Sequence, residues 1–250
     1  MGVAVVTGGS SGIGAATARA LTARGWHCVL LARGAELLQQ VAAELGAEPE
    51  ACDVSDRAKV EEAAARIAQR HAGVGLLVNN AGFTGRRGFL ELEPEEIEKI
   101  VDTVYLGSVW CVRAFLPLLE AARPSNVVNV VSVAGIFAHG SSGPYTAAKH
   151  AQLAFSRSIH RELAARGIRV HTVNPGPVET PGFRQRSLLS HRFGNRLVLQ
   201  PEQVAETIVR AVERNRTEVV VPRYLRVAGA LQALAPGTLA RLASRGRGRA

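Results

Sequence analysis

The chain has 250 residues, 47% hydrophobic and 20% charged, with a formal net charge of +9 and three cysteines. That length and composition fit one globular domain able to bury a full layered core, and no linker, repeat or low-complexity tract divides it. Cys28, Cys52 and Cys111 are odd in number and widely spaced, which excludes a disulfide framework and a zinc site and makes a reducing cytoplasm the expected location, with no metal.

The positive charge is concentrated. Arg184, Arg186, Arg192 and Arg196 lie in an acid-free stretch from 180 to 200, and six more arginines lie without an acid between 223 and 250. No aromatic or motif support accompanies them, so they read as solvated surface, and nucleic acid is not an expected partner. A first strand starting at Gly2 leaves no room for a signal peptide, and no apolar run is expected to span a bilayer.

In chain order, Val3-Ala4-Val5-Val6 is a continuous apolar run, as in a strand covered on both faces. It leads into Thr7-Gly8-Gly9-Ser10-Ser11-Gly12-Ile13-Gly14 and then a helical stretch from Ala15 to Arg24. A glycine turn between strand and helix lets the backbone approach a pyrophosphate and aims the first helical amides at it. The second strand, His27 to Leu31, ends in Ala32-Arg33. A carboxylate there would suit a ribose 2'-hydroxyl and an arginine suits a 2'-phosphate, so Arg33 points to NADP(H) rather than NAD(H).

Glu36 to Leu45 has helical apolar spacing, and a short strand ends at Cys52-Asp53-Val54. Asp53 is a candidate acceptor for an adenine amino group, with Ser55 or Asp56 available to cap the next helix. Leu76-Leu77-Val78 runs into Asn79-Asn80-Ala81-Gly82. Repeated strand-helix units of this kind predict an α/β fold, a doubly wound parallel sheet with helices on both faces, Rossmann-like and single-domain. A helix is expected from Glu95 to Ala122.

Val127 to Val131 forms a buried strand with Ser132 at its C-terminal end, where open α/β sheets bind ligands. If Gly143-Pro144 opens a helix, Tyr145 and Lys149 are one turn apart on one face. An ammonium beside a phenol draws the phenol's pKa down, making Tyr145 a candidate general acid while Ser132 holds a carbonyl oxygen. A helix is expected from Pro201 to Arg214 and a last strand at Val219-Val220-Val221. The expected organisation is a catalytic domain over 1–222 with a lid at about 181–200, then a basic amphipathic tail over 223–250 with Leu225, Ala228, Leu231 and Leu234 at helical spacing.

Taken together, Thr7 to Gly14, Asp53-Val54, Asn79 to Gly82, Ser132, Tyr145-x-x-x-Lys149 and Asn174-Pro175-Gly176-Pro177-Val178-x-Thr180 make the chain resemble the short-chain dehydrogenase/reductase family from Gly2 to about Pro222. The resemblance implies that Ser132, Tyr145 and Lys149 are catalytic. It implies that Gly8, Ser11, Gly12, Ile13 and Gly14 line a pyrophosphate, that Arg33 meets the adenosine phosphate, and that Asp53 and Val54 flank adenine. Asn80, Ala81, Gly82 and Lys149 would lie along the riboses, and Pro175, Gly176, Val178 and Thr180 would fix the nicotinamide. Val104 stands where family members usually carry an asparagine belonging to a proton relay.

The function expected is an NADP(H)-dependent oxidoreductase interconverting a hydrophobic ketone or aldehyde and its alcohol, with Phe83, Phe89, Ile136, Phe137, Val178 and Phe183 as apolar pocket candidates. A homo-oligomer, dimer or tetramer, is expected. The rival readings are a non-catalytic NADP(H) sensor and a reductase of lipid ketones that touches a membrane through its tail.

Overall fold

The structure, a computed structural model, describes residues 2–83, 89–138, 143–181 and 198–234 together with Gly237. The strands are β1 (Val3–Thr7), β2 (His27–Ala32), β3 (Glu48–Ala51), β4 (Leu76–Asn79), β5 (Ser125–Val130), β6 (Ile168–Pro175) and β7 (Glu218–Val221), most of them built on apolar runs. They make one seven-stranded sheet in the order β3-β2-β1-β4-β5-β6-β7, parallel throughout. The chain winds outward from β1 through β2 and β3, then resumes with β4 on the other side of β1. The C-terminal ends of β1 and β4 therefore border the crevice where doubly wound sheets take ligands.

Successive strand residues point to opposite faces, so each continuous apolar run feeds two cores. Val6, Leu30, Val78 and Val128 pack with helices α1 (Gly12–Thr22), α2 (Ala35–Leu45) and α7 (Pro201–Glu213). Their neighbours Val5, Leu31, Leu77 and Val127 pack with α3 (Arg57–Arg70), α5 (Gly107–Ala121) and α6 (Gly143–Ala164).

Several expectations need correction. The helix expected over Glu95 to Ala122 is α4 (Pro94–Val101), a wide π turn over Asp102–Leu106, and then α5. The whole stretch Pro94–Ala121 is long and apolar enough to cross a membrane by length and composition, contrary to the sequence reading; in this fold α5 packs against α3 and the sheet as a core helix. The third strand ends at Ala51, short of Asp53, and Ser132 lies two residues beyond β5. Of the two cap candidates for α3, Asp56 is the one used, accepting from the amides of Ala58 at 3.0 Å and Lys59 at 3.3 Å.

The tail's helix is α8 (Leu225–Leu234), and its inward face is not the expected leucine stripe. Leu231 and Leu234 are exposed, whereas Gly229 is buried: a Cβ there would lie 2.3 Å from Cγ2 of Ile136. Leu225 Cδ1 lies 2.8 Å from where a Cβ on Gly176 would be. The first turns of α8 thus sit on the Ile136 and Gly176 loops, because a glycine lets the helix backbone come close.

Candidate active site

The turn between β1 and α1 is shaped by close approach. A Cβ on Gly14 would stand 2.1 Å from the Gly8 carbonyl oxygen, so only glycine lets the turn fold back on the helix start. Ser11 is the N-cap residue of α1 but makes no side-chain cap bond, and the first turn carries no acid. The leading amides of α1 therefore face outward at the positive end of the helix, a fit for a pyrophosphate. Gly8 lies against Asn80, and a Cβ on Gly12 would be 3.1 Å from Thr180 Cγ2, so the residues expected along one dinucleotide do converge.

Thr7, which the residue-by-residue reading passed over, ties this crevice together. Its hydroxyl accepts from the amides of Asn80 at 2.9 Å and Ala81 at 3.0 Å and donates to the Val78 carbonyl, while Asn80 Nδ2 donates to the Thr7 carbonyl at 3.0 Å. Four bonds thus hold the exits of β1 and β4 side by side. Arg33 follows β2, exposed and without an ion-pair partner among the described residues. Asp53 accepts from the amide and hydroxyl of Ser55, at 3.1 and 2.8 Å, and Val54 packs on Gly107.

The catalytic candidates meet beyond β5. Ser132 caps a short turn over Val133–Gly135, accepting from the Ala134 amide at 3.1 Å. A Cβ on Gly135 would be 2.6 Å from the Lys149 carbonyl oxygen, so this turn presses directly on α6. Ser132 and Tyr145 bring their hydroxyls to the same place, near enough for the serine to lower the phenol's pKa, and Ser132 Oγ reaches the Pro175 carbonyl at 3.5 Å.

Lys149 is 4% exposed, its ammonium donating to the Val130 carbonyl at 2.9 Å and to Gln152 Oε1 at 2.8 Å, 5.8 Å from the centroid of the Tyr145 ring. Burial with only neutral acceptors lowers its pKa to about 7. Burial also pushes Tyr145 up to about 12, a rise only partly offset by the neighbouring Ser132 hydroxyl. The lowered tyrosine pKa expected from the four-residue spacing is therefore not what this geometry gives, because the ammonium makes no bond to the phenol and desolvation dominates. At neutral pH Tyr145 is a protonated acid.

A second feature escaped the sequence reading. Tyr145, Lys149, Gln152 and Ser156 fall at helical spacing along the face of α6 that meets the sheet, and all but Tyr145 are buried. Gln152 Nε2 donates to Ser108 Oγ at 2.7 Å. Asn79 Nδ2 donates to Asn129 Oδ1 and Asn129 Nδ2 to Ser156 Oγ, both at 2.9 Å, and Ser156 meets Thr172 Oγ1 at 2.7 Å. A polar residue recurring where an amphipathic helix should be apolar was the available signal.

Other candidates fall elsewhere. Phe89 is 62% exposed on a 3-10 turn, and Val178 joins the core on the α1 and α7 side. Phe83 and Tyr145 both pack against the small cluster of Leu92, Ile100, Val104 and Ala148. Val104 is fully buried and contributes no polar side chain to the site. Phe183 and most of the expected lid, 182–197, lie outside the described residues, as does the end of the tail. At the opposite end of the sheet, His27 and His71 both bring Nε2 to Glu48 Oε1, at 2.5 and 2.9 Å, in a cluster with metal-ligand composition. Arg70 already bonds Glu48 Oε2 at 3.0 Å, and although burial alone would raise Glu48, the bonds from His27, His71 and Arg70 hold it down to about 2.

The short chain dehydrogenase family matches residues 2–188. Carbonyl reductase family member 4 of Danio rerio is 33% identical over 242 residues, covering 93% of this chain and 98% of its own. An alcohol dehydrogenase from the archaeon Thermococcus sibiricus, solved with 5-hydroxy-NADP, superposes with a TM-score of 0.78 at 29% identity, covering 88% of this chain and 96% of its own. A short chain dehydrogenase/reductase from Burkholderia phymatum, solved with NAD, gives a TM-score of 0.84 at 25% identity, covering 95% of each chain. With the parallel sheet, the glycine turn and the Ser132, Tyr145 and Lys149 cluster in one crevice, these matches place the chain in the short-chain dehydrogenase/reductase family of oxidoreductases.

Proposed function

We propose that the protein is an NADP(H)-dependent carbonyl reductase, or alcohol dehydrogenase in reverse, acting on a hydrophobic ketone or aldehyde. The observation that carries the reading is the meeting of Ser132 and Tyr145 with the Lys149 ammonium buried behind them, beyond the C-terminal ends of the strands, where the glycine turn also lies. The nicotinamide, when bound, supplies the hydride to the carbonyl carbon. Ser132 holds the carbonyl oxygen and Tyr145 gives it a proton, so the two-electron reduction balances as one hydride and one proton. A tyrosine held at about 12 keeps its proton throughout the neutral range, so it enters the reductive step as the acid.

Arg33 and the absence of an acid at the end of β2 support the phosphorylated cofactor. The test is NADPH absorbance followed over a panel of hydrophobic ketones and aldehydes, with NADH as the comparison. Turnover with NADPH and a higher kcat/KM than with NADH is expected; equal use of both cofactors removes the NADP(H) assignment, and no turnover with either removes the reductase reading.

A further inference from the structure

The hydrogen bonds around Lys149 have a fixed direction that begins at a backbone carbonyl. Val104, in the π turn that precedes α5, offers its carbonyl to the Ser108 hydroxyl at 3.4 Å. Having one proton to give, that hydroxyl must accept from Gln152, which it does from Nε2 at 2.7 Å. The amide's other end, Oε1, is then turned toward Lys149, which donates to it at 2.8 Å. Gln152 is fully buried and Ser108 is 4% exposed, so no solvent competes for these bonds. The ammonium spends a second proton on the Val130 carbonyl at 2.9 Å. That leaves one N–H of its three, on a nitrogen 5.8 Å from the centroid of the Tyr145 ring.

We propose that Gln152 is a positioning residue for the reaction: its amide, oriented by Ser108, holds the Lys149 ammonium in place behind Tyr145. Val104 cannot anchor the lysine through its own side chain, and Gln152 supplies from α6 itself the acceptor that the wide turn delivers only through its backbone. The inference rests on the carbonyl-reductase reading above for its catalytic meaning and on the hydrogen-bond chain alone for its geometry. Among the described residues, the one titratable group against the ammonium is Tyr145 on its own helix. β5 contributes the Val130 carbonyl, the π turn and α5 contribute the Val104 carbonyl and the Ser108 hydroxyl, and none of these ionises.

An acceptor favours the charged form of the group it faces, so removing it or charging it moves Lys149 in opposite directions. The chain has three lysines, and Lys59 and Lys99 are exposed, so Lys149 can be followed individually by NMR of lysine-labelled protein, its ε-carbon assigned by loss in Lys149→Met. Gln152→Leu should move its titration down, and Gln152→Glu should move it up, each by about one pH unit or more. Ser108→Ala, which frees the amide to turn without emptying the site, should move it down by less; this variant decides the matter if Gln152→Leu does not fold. The alkaline limb of kcat for carbonyl reduction should shift with the lysine in each variant, with kcat at neutral pH falling roughly tenfold in Gln152→Leu.

The titration needs no substrate. An inert wild type whose Lys149 responds as described removes the catalytic meaning and leaves the geometry. An active wild type whose Lys149 titration is the same in all variants, or moves one way in both Gln152 variants, overturns the inference. A lysine that moves while the kcat profile stays still shows that Gln152 anchors the side chain but does not position it for reaction, which overturns it too.

Discussion

The Lys149 ammonium lies 5.8 Å from the centroid of the Tyr145 ring, and burial drives both groups toward their neutral forms, the lysine to about 7 and the tyrosine to about 12. Near neutrality the pair is a phenol that keeps its proton beside a lysine close to its titration point. Tyr145→Phe removes the donor and keeps the ring. Reduction should fall by a factor of roughly 10² to 10⁴ while the melting temperature and the NADPH dissociation constant stay within about twofold of wild type. Steady-state kinetics with fluorescence binding decide it; retention of most of the activity would assign the acid to another group.

The same burial makes Lys149 a pH-dependent cost to the fold. Its pKa falls from 10.5 unfolded to about 7 folded, so between those values the unfolded chain binds more protons and stability from this group rises with pH; the penalty is complete below about 7 and absent above about 10.5. Lys149→Met carries no such charge. The stability of the methionine variant relative to wild type should therefore be lowest near pH 10 and grow as the pH is lowered to 7, by roughly a few kcal/mol. Urea unfolding at three pH values tests this, and a pH-independent difference would contradict the buried, depressed lysine.

The proposed preference for NADPH rests on Arg33. Arg33→Asp replaces a cation with a like charge to a 2'-phosphate and should weaken NADPH binding roughly a hundredfold while leaving NADH within a few-fold. Isothermal titration with both nucleotides measures it. Wild type binding NADH as tightly as NADPH would sink the assignment.

Val104 sits at 0% exposure in a small apolar cluster with Leu92, Ile100 and Ala148, and only its backbone carbonyl takes part in the chain to Lys149. Val104→Asn puts an amide among aliphatic groups, so we expect it to destabilise the fold by about 1–3 kcal/mol and not to raise kcat. A stable Val104→Asn enzyme with a faster turnover would mean that the Gln152 chain leaves proton supply incomplete.

The glycine turn and the strands were legible because each is fixed by short-range rules. Val5-Val6, Leu30-Leu31 and Leu77-Val78 are apolar in pairs since each member feeds a different core, and that pattern is printed in consecutive letters. Ser132, Tyr145 and Lys149 were legible through their spacing and order. The π turn was not, because Asp102 to Leu106 carries the apolar rhythm of an ordinary helix. The widening accompanies long-range packing, with Gly107 pressed to within 2.9 Å of Val54 once a Cβ is imagined. Gln152 was missed for a similar reason: its partner Ser108 is 44 residues away, and no local pattern encodes that pairing. For α8, periodicity described two possible faces, and the choice fell to Gly229 and Leu225 because only a bare backbone fits over Ile136.

The row of polar side chains on α6 also fixes how that helix is seated. An aliphatic face can slide or turn by a few degrees and repack at modest cost, since dispersion has no direction. Here Lys149, Gln152 and Ser156 each close a bond of 2.7 to 2.9 Å to a group on another element or on the same face. A slip of one residue rotates the helix by about 100° and would strand each donor and acceptor in a dry interior. The α6 helix therefore has one azimuth on the sheet, and Tyr145 inherits its aim from residues up to three turns farther along. Grafting the Tyr145 to Lys149 segment alone into a related scaffold would carry the reactive groups without the keying that points them. Moving Ser108, Asn129, Gln152, Ser156 and Thr172 with it would carry both.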